Sequence, residues 1–248
     1  MQPVENSTVI KACIDKDLTL DEVGLARQTG VELGLVEAPG PFELAATHLW
    51  RNGSTLSVRF LGGEKSVQER VEFYAHQWEQ FANIKFKFVD QGLTVIRIAF
   101  MPNAGSWSFL GVGSLMHWFS QDAPTMNFGW LTPETDDDEY SRVVLHEFGH
   151  ALGCIHEHQN PDAGIPWDKE KAYAYYGGTN GWSRAQVDAQ VFSRYNKLLT
   201  QYTKFDPTSI MEYPVPPEIT TGNFSIGWNK VLSDTDKQFI GQLYPFPR

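Results

Sequence analysis

The chain is organised around one stretch, Val144 to Glu157, which contains His146-Glu147-x-x-His150, then Gly153, then His156. An α-helix turns ~100° per residue, so side chains four apart share a face one turn apart. His146 and His150 can therefore aim ring nitrogens at one point, an arrangement suited to tetrahedral Zn²⁺ with Zn–N near ~2.0–2.1 Å. Glu147 lies beside that face, where a carboxylate reaches a metal-activated water without ligating the metal. Gly153 lets the chain leave the helix, because glycine tolerates positive φ. The turned backbone then returns His156 as a third ligand. Three protein ligands leave one position open, which marks a catalytic site for one zinc ion rather than a closed structural one. Two surface histidines on a helix would explain the short motif alone; the placement of Gly153 and His156 weighs against that reading.

The chain has 248 residues, enough for one large domain or two small subdomains around a real core. A hydrophobic fraction of 42% with 13% aromatics is globular composition. The net charge of −10 and the lack of any long Lys/Arg cluster disfavour nucleic acid or an anionic membrane as partner. No apolar run approaches the ~18 residues of a membrane helix. Residues 1–10 show no basic n-region followed by an apolar h-region, so no signal peptide is visible and the compartment stays open. The two cysteines, Cys13 and Cys154, are too few for a disulfide framework. Cys154 sits between ligand positions and reads as packing. Cys13 has three readings: an ordinary residue, a bridge to Cys154, or a latency ligand for the open zinc position, since thiolate binds zinc well.

Periodicity supplies the elements. Thr19 followed by Glu22 is a capping box that opens a short helix, and a breaker cluster follows at 38–41. Residues 55–61 alternate as a half-buried strand; 65–81 carry a helical apolar stripe; 84–89 and 95–100 alternate again, with Arg97 opposite Ile96 and Ile98. Residues 125–128 read as a short strand, and the active helix is expected over 140–152. The acidic run Asp136 to Glu139 suits the positive end of that helix; a calcium site there matches no standard loop. Later helices are expected over 167–176, ended by Gly177-Gly178, over 183–192 capped by Ser183, and from Ser233 onward with a capping box to Asp236. There are no internal repeats.

A second stretch, Ser209-Ile210-Met211-Glu212-Tyr213, makes a resemblance specific. Together with the extended histidine motif and Glu157 directly after its third histidine, it resembles the astacins, a family of metzincin zinc endopeptidases, over residues 47–248. Serralysins usually have Pro after the third His and carry calcium repeats, and this chain has neither. The astacin pattern has His where Glu212 stands and an aromatic where Cys154 stands, and its usual disulfides are missing here.

The resemblance implies an α+β metzincin fold: an N-terminal twisted mixed β-sheet with two long helices, a mostly irregular and helical C-terminal subdomain, and the active-site cleft between. It divides the chain into an N-terminal extension, propeptide-like, at 1–46, an N-terminal catalytic subdomain at 47–158, and a C-terminal subdomain at 159–248. It implies a zinc metalloendopeptidase acting on proteins or peptides, as a monomer, and favours secretion. Glu147 would be the general base. Met211 would be an apolar floor beneath the imidazoles, and Tyr213 a displaceable fifth zinc ligand that swings out to the oxyanion. An edge strand would pair with extended substrate. In astacins the residue at Glu157 contacts the mature N-terminus. Two alternatives remain: a latent zymogen in which the first 46 residues cover the cleft, and a zinc-containing recognition module without catalysis. Arg184 and Arg194 are candidates for specificity-pocket walls.

Overall fold

The computed structural model describes residues 13, 16, 18–37, 48–194 and 203–247. The breaker cluster at 38–41 and residues 1–12 lie outside these. Helix α1, Leu20–Glu32, starts at the Thr19–Glu22 capping box and buries Val23, Ala26 and Gly30. It packs on a 3₁₀ turn, Gly111–Leu115. The approach is close: a Cβ on Gly30 would lie 3.1 Å from Leu115 Cδ1 of that turn.

Five strands form one mixed sheet: β1 Thr55–Phe60, β2 Lys85–Phe88, β3 Ile96–Ala99, β4 Trp107–Ser108 and β5 Met126–Asn127. Their spatial order is β2-β1-β3-β5-β4. The first four run parallel, with Val58 opposite Ile96 and Ile98 opposite Met126. β4 alone is antiparallel, with Trp107 opposite Asn127. The strand read at 125–128 is therefore interior, and the edge is β4. Two residues carry no alternation to detect, so β4 was invisible to periodicity.

Arg97 sits opposite Ile96 and Ile98, as the alternation requires, yet it is fully buried. Its guanidinium donates to the carbonyls of Ala123 at 2.7 Å, Thr94 at 2.7 Å and Val95 at 3.3 Å. Burial lowers its pKa to about 10. A charge in the interior persists only when hydrogen bonds replace its hydration, and here they pin the loop that feeds β5.

Helix α2, Lys65–Ala75, continues as a 3₁₀ turn, His76–Gln80, so the stripe read over 65–81 is two elements. Helix α3, Asp137–Ala151, carries the histidine motif and packs on α2. Asp136 caps it by accepting from Glu139 N at 2.8 Å, so it begins three residues before the expected start. The acidic run is used locally: Asp137 pairs with Arg70 at 2.6 Å, Asp138 with Lys230 at 2.5 Å and Glu139 with Arg142 at 2.7 Å. The last α3 carbonyls, orphaned at any helix end, receive side chains from outside. Trp50 Nε1 donates to Ala151 O at 2.7 Å and Tyr244 OH to Leu152 O at 2.7 Å. Val144, Leu145, Phe148 and Ala151 are fully buried against Trp78 and the sheet.

After the motif come α4, Lys169–Asn180, α5, Arg184–Val187, and α6, Asp234–Leu243. The expected break at Gly177-Gly178 is overturned: α4 runs through both and ends at Gly181, whose φ of 68° supplies the left-handed C-cap. A helical glycine costs only about 1 kcal/mol each, less than the cap and packing return. The helix read at 183–192 starts at the Ser183 box but becomes a π-turn over Asp188–Phe192. Among the described residues no helix is long and apolar enough to cross a membrane.

Candidate metal centre

The helix places His146 and His150 on one face, as their spacing requires. Gly153, at φ 97°, then reverses the chain, and a Cβ there would lie 2.9 Å from Leu49 Cδ2. Cys154 N closes the turn on Gly149 O at 2.9 Å. His156 follows, fully buried. The three Nε2 atoms form a triangle with every edge 3.1 Å. Tetrahedral coordination at ~2.0 Å requires edges of ~3.3 Å.

The donor set fits a cation. His146 Nδ1 faces Ile210 O at 2.8 Å and His150 Nδ1 faces Cys154 O at 2.8 Å, so both Nδ1 atoms carry protons and both Nε2 atoms present lone pairs. Lone pairs that meet at 3.1 Å repel unless a positive ion lies among them. Burial holds the His146 imidazolium well below its ordinary pKa and lowers that of His156 to about 3, so these two rings are neutral. Zinc-type coordination needs that form.

The turn with Met211 packs against α3 at Gly149. Glu212 N bonds Ser209 O at 3.1 Å, and Glu157 N bonds Met211 O at 3.0 Å. A Cβ on Gly149 would meet Met211 Sδ at 2.4 Å, so only glycine on α3 lets this sulfur approach. Asp236 anchors the turn by accepting from Ser209 Oγ at 2.6 Å and Ile210 N at 2.8 Å.

Glu147 is fully buried beside the triangle. Of the three readings of Cys13, the structure favours the one that brings it to the imidazoles. Its thiol donates to Glu147 Oε2 at 3.3 Å, and its sulfur joins the three imidazoles in one group of ligand atoms within 4.8 Å of one another. Tyr213 OH donates to the Cys13 carbonyl at 2.5 Å, and Cys13 pairs in parallel with Ser106 next to the β4 edge. No disulfide joins Cys13 and Cys154. Burial raises the Cys154 thiol far above its ordinary pKa, an inert packed group as expected.

Arg184 pairs with Glu170 on the surface, and Arg194 donates to the carbonyls of His158 and Asn160. The groove beside Glu147 is walled instead by Trp130, Arg142, Pro214 and Trp228. Glu157 spends Oε1 on Asp206 N at 2.9 Å and Asn160 Nδ2 at 3.0 Å. Burial and neighbouring carboxylates raise its pKa to about 7. Glu212, where astacins have His, is buried and likewise raised.

A mixed sheet, a buried helix bearing His-Glu-x-x-His and a third histidine past a glycine reversal define a zinc endopeptidase of the metzincin class. No family model and no curated sequence matches the chain. Solved structures do. A structure of myroilysin is 48% identical with TM-score 0.79, covering 82% of this chain and 98% of its own. A second myroilysin structure is 40% identical with TM-score 0.63, covering 95% and 100%. High choriolytic enzyme 1, a hatching-enzyme zinc protease from medaka (Oryzias latipes), shares the fold at 18% identity and TM-score 0.56, covering 85% and 100%. The chain belongs to the astacin-like metzincins, whose members are zinc-dependent endopeptidases.

Proposed function

We propose that this chain hydrolyses peptide bonds in protein or peptide substrates, with Glu147 as general base and Tyr213 as oxyanion donor, and that Cys13 holds the form described here latent. The observation that carries the reading is that Tyr213 OH and Glu147 grip one residue, Cys13, by its carbonyl and its thiol beside three converging imidazoles. Tyr213 already donates to a backbone carbonyl, and Glu147 already accepts an acidic hydrogen.

His146, His150 and His156 would hold the zinc ion. A zinc ion held there would supply a water of lowered pKa, from ~15.7 toward ~7, and polarisation of the scissile carbonyl. Glu147 takes the proton of the attacking water and delivers it to the leaving amine as the C–N bond breaks. Tyr213, released from Cys13, donates to the oxygen that gains charge. The free side of β4 offers main-chain pairing to an extended substrate. Secretion and a monomeric state follow the family resemblance.

Latency rests on the same contacts. Thiolate is a strong zinc ligand, so Cys13 would be the fourth ligand and exclude water. Lys16 lies over the Trp107 ring at 4.7 Å and adds to the hold on the edge strand.

Casein cleavage by the zinc-loaded chain tests both parts. Cys13→Ser is expected to cleave without N-terminal trimming, and the wild type only after it. Adding Glu147→Ala to Cys13→Ser is expected to lose about 10²–10⁴-fold. Undiminished cleavage by that double variant would overturn the endopeptidase mechanism. Equal cleavage by untrimmed wild type and Cys13→Ser would overturn latency.

A further inference from the structure

His158 is not a ligand, does not face solvent and has no part in the hydrolysis above, yet it is fully buried two residues past the third ligand. Its ring lies on the Tyr213 ring, with centroids 4.4 Å apart and planes 19° apart. The other close imidazole, His156, is tilted 53° to the phenol at 4.3 Å and belongs to the ligand set. His146 is also near-parallel to the phenol, at 24°, but its centroid lies 6.2 Å away; His158 is thus the flat neighbour in contact.

The plate is fixed to backbone. His158 Nε2 donates to Gln190 O at 2.8 Å, and Gln159 Nε2 to Ala189 O at 3.2 Å. Both carbonyls belong to the π-turn Asp188–Phe192, where departure from the α-helical ladder leaves carbonyls for outside donors. Arg194 donates to the His158 carbonyl.

A tyrosine's last torsion is broad and soft. A flat ring against one face removes that freedom and leaves the phenol able to slide in its own plane. We propose that His158 is the positioning residue of Tyr213. It sets the plane in which the hydroxyl moves, from the Cys13 carbonyl of the latent form to the reacting carbonyl of a substrate. The second half rests on the role given to Tyr213 above; the first rests on contacts already described.

The test has two arms. In the first, His158→Ala, His158→Phe, Tyr213→Phe and the Ala/Phe double variant are compared in the Cys13→Ser chain. His158→Ala is expected to lower kcat roughly tenfold, the upper range for one aromatic pair, with KM little changed. His158→Phe keeps a flat ring and is expected to recover most of the loss. His158→Ala should add nothing once Tyr213→Phe is present. Additive losses, or a phenylalanine variant as poor as the alanine one, would overturn the proposal. His158→Asn, smaller and without a ring, stands in should the alanine variant not fold.

In the second arm, the metal-free full chain carrying Cys13 is labelled with iodoacetamide, and the Cys13 peptide is quantified by mass spectrometry. Both His158→Ala and Tyr213→Phe are expected to label faster than wild type by similar factors, and the double variant no faster than either. His158→Ala labelling at the wild-type rate while Tyr213→Phe labels faster would overturn the proposal without reference to activity. An unchanged kcat in Tyr213→Phe would instead remove the oxyanion role, and labelling alone would then judge His158.

Discussion

The chain up to His156 and the chain after it build two sides of one site with a different balance of apolar and polar contacts. On the first side, α2, α3 and the sheet share one continuous apolar cluster that includes Trp78, Phe86, Val144, Leu145 and Phe148. On the second, α4 and α5 enclose a small core of Ala172, Tyr176, Val187, Val191 and Ile219. The turn with Met211 sends Ile210 and Met211 into the larger cluster, and carboxylates fix its backbone: Asp236 to Ser209 and Ile210, and Glu157 to Asp206 and Asn160. Apolar burial is non-directional and places a whole helix. Buried polar contacts are directional, and they place single atoms such as the Ile210 oxygen that orients His146.

If that contrast is right, the largest stability loss lies in the first region. Phe148 is fully buried and meets Phe86 edge-to-face at 4.9 Å. Phe148→Ala is expected to cost about 3–5 kcal/mol. Val187→Ala, in the small core, is expected to cost about 1–3 kcal/mol, near the transfer value of the side chain. Urea denaturation of the metal-free chain measures both, and equal losses would erase the distinction between the two cores.

The same contrast explains what could be read from residues alone. The strands at 55–60 and 96–99 and helix α3 announce themselves by period, because an apolar face must repeat to reach one core. The ligands His146, His150 and His156 were legible because two lie one helical turn apart and a glycine frees the third. For Cys13 the latency ligand is one of three readings that the residues allow, since its partner Glu147 lies 134 positions away and no local pattern points to it. Asp236 was legible as a capping residue. Its hold on the methionine-bearing turn was not, because Ser209 and Ile210 reach it from 27 and 26 positions away. His158 carries no periodic or motif signal of its own. Its nearness to the third ligand was the one available signal, and only the fold supplies Tyr213 and Gln190 as its neighbours.

Asp236 offers the next test, of intermediate size. Asp236→Ala strands the amides of Ile210 and Ser233 and the Ser209 hydroxyl, which now reach the carboxylate at 2.6–2.8 Å. The expected cost is about 2–4 kcal/mol, given what unsatisfied donors and bonds to charged groups contribute. Loss of the Ile210 carbonyl's position should also weaken zinc binding by about 10-fold or more in competition with a chelator, since it is the partner that fixes the His146 tautomer. Lower stability with unchanged zinc affinity would show that the polar anchor holds the turn but does not aim the ligand.

Glu157 carries the smallest effect and gives it a pH signature. In the metal-free chain its folded pKa, about 7, lies above the ordinary 4.5 because burial disfavours the charged carboxylate, with Asp236 and Asp206 adding repulsion. The folded state therefore holds this proton more tightly than the unfolded chain. Stability from Glu157 is full below the unfolded value, falls as pH rises between the two pKa values, and is gone above the folded one. The total is at most about 3 kcal/mol, and less where water reaches the group. Glu157→Gln removes the titration while retaining an acceptor for the Asp206 amide. Relative to that variant, the wild type is expected to lose stability from pH 5 to pH 8, read as a widening gap in urea midpoints. Parallel midpoints across that range would mean that the carboxylate is better solvated than its burial and its two hydrogen bonds imply, and that the second side of the site is less dry than the first.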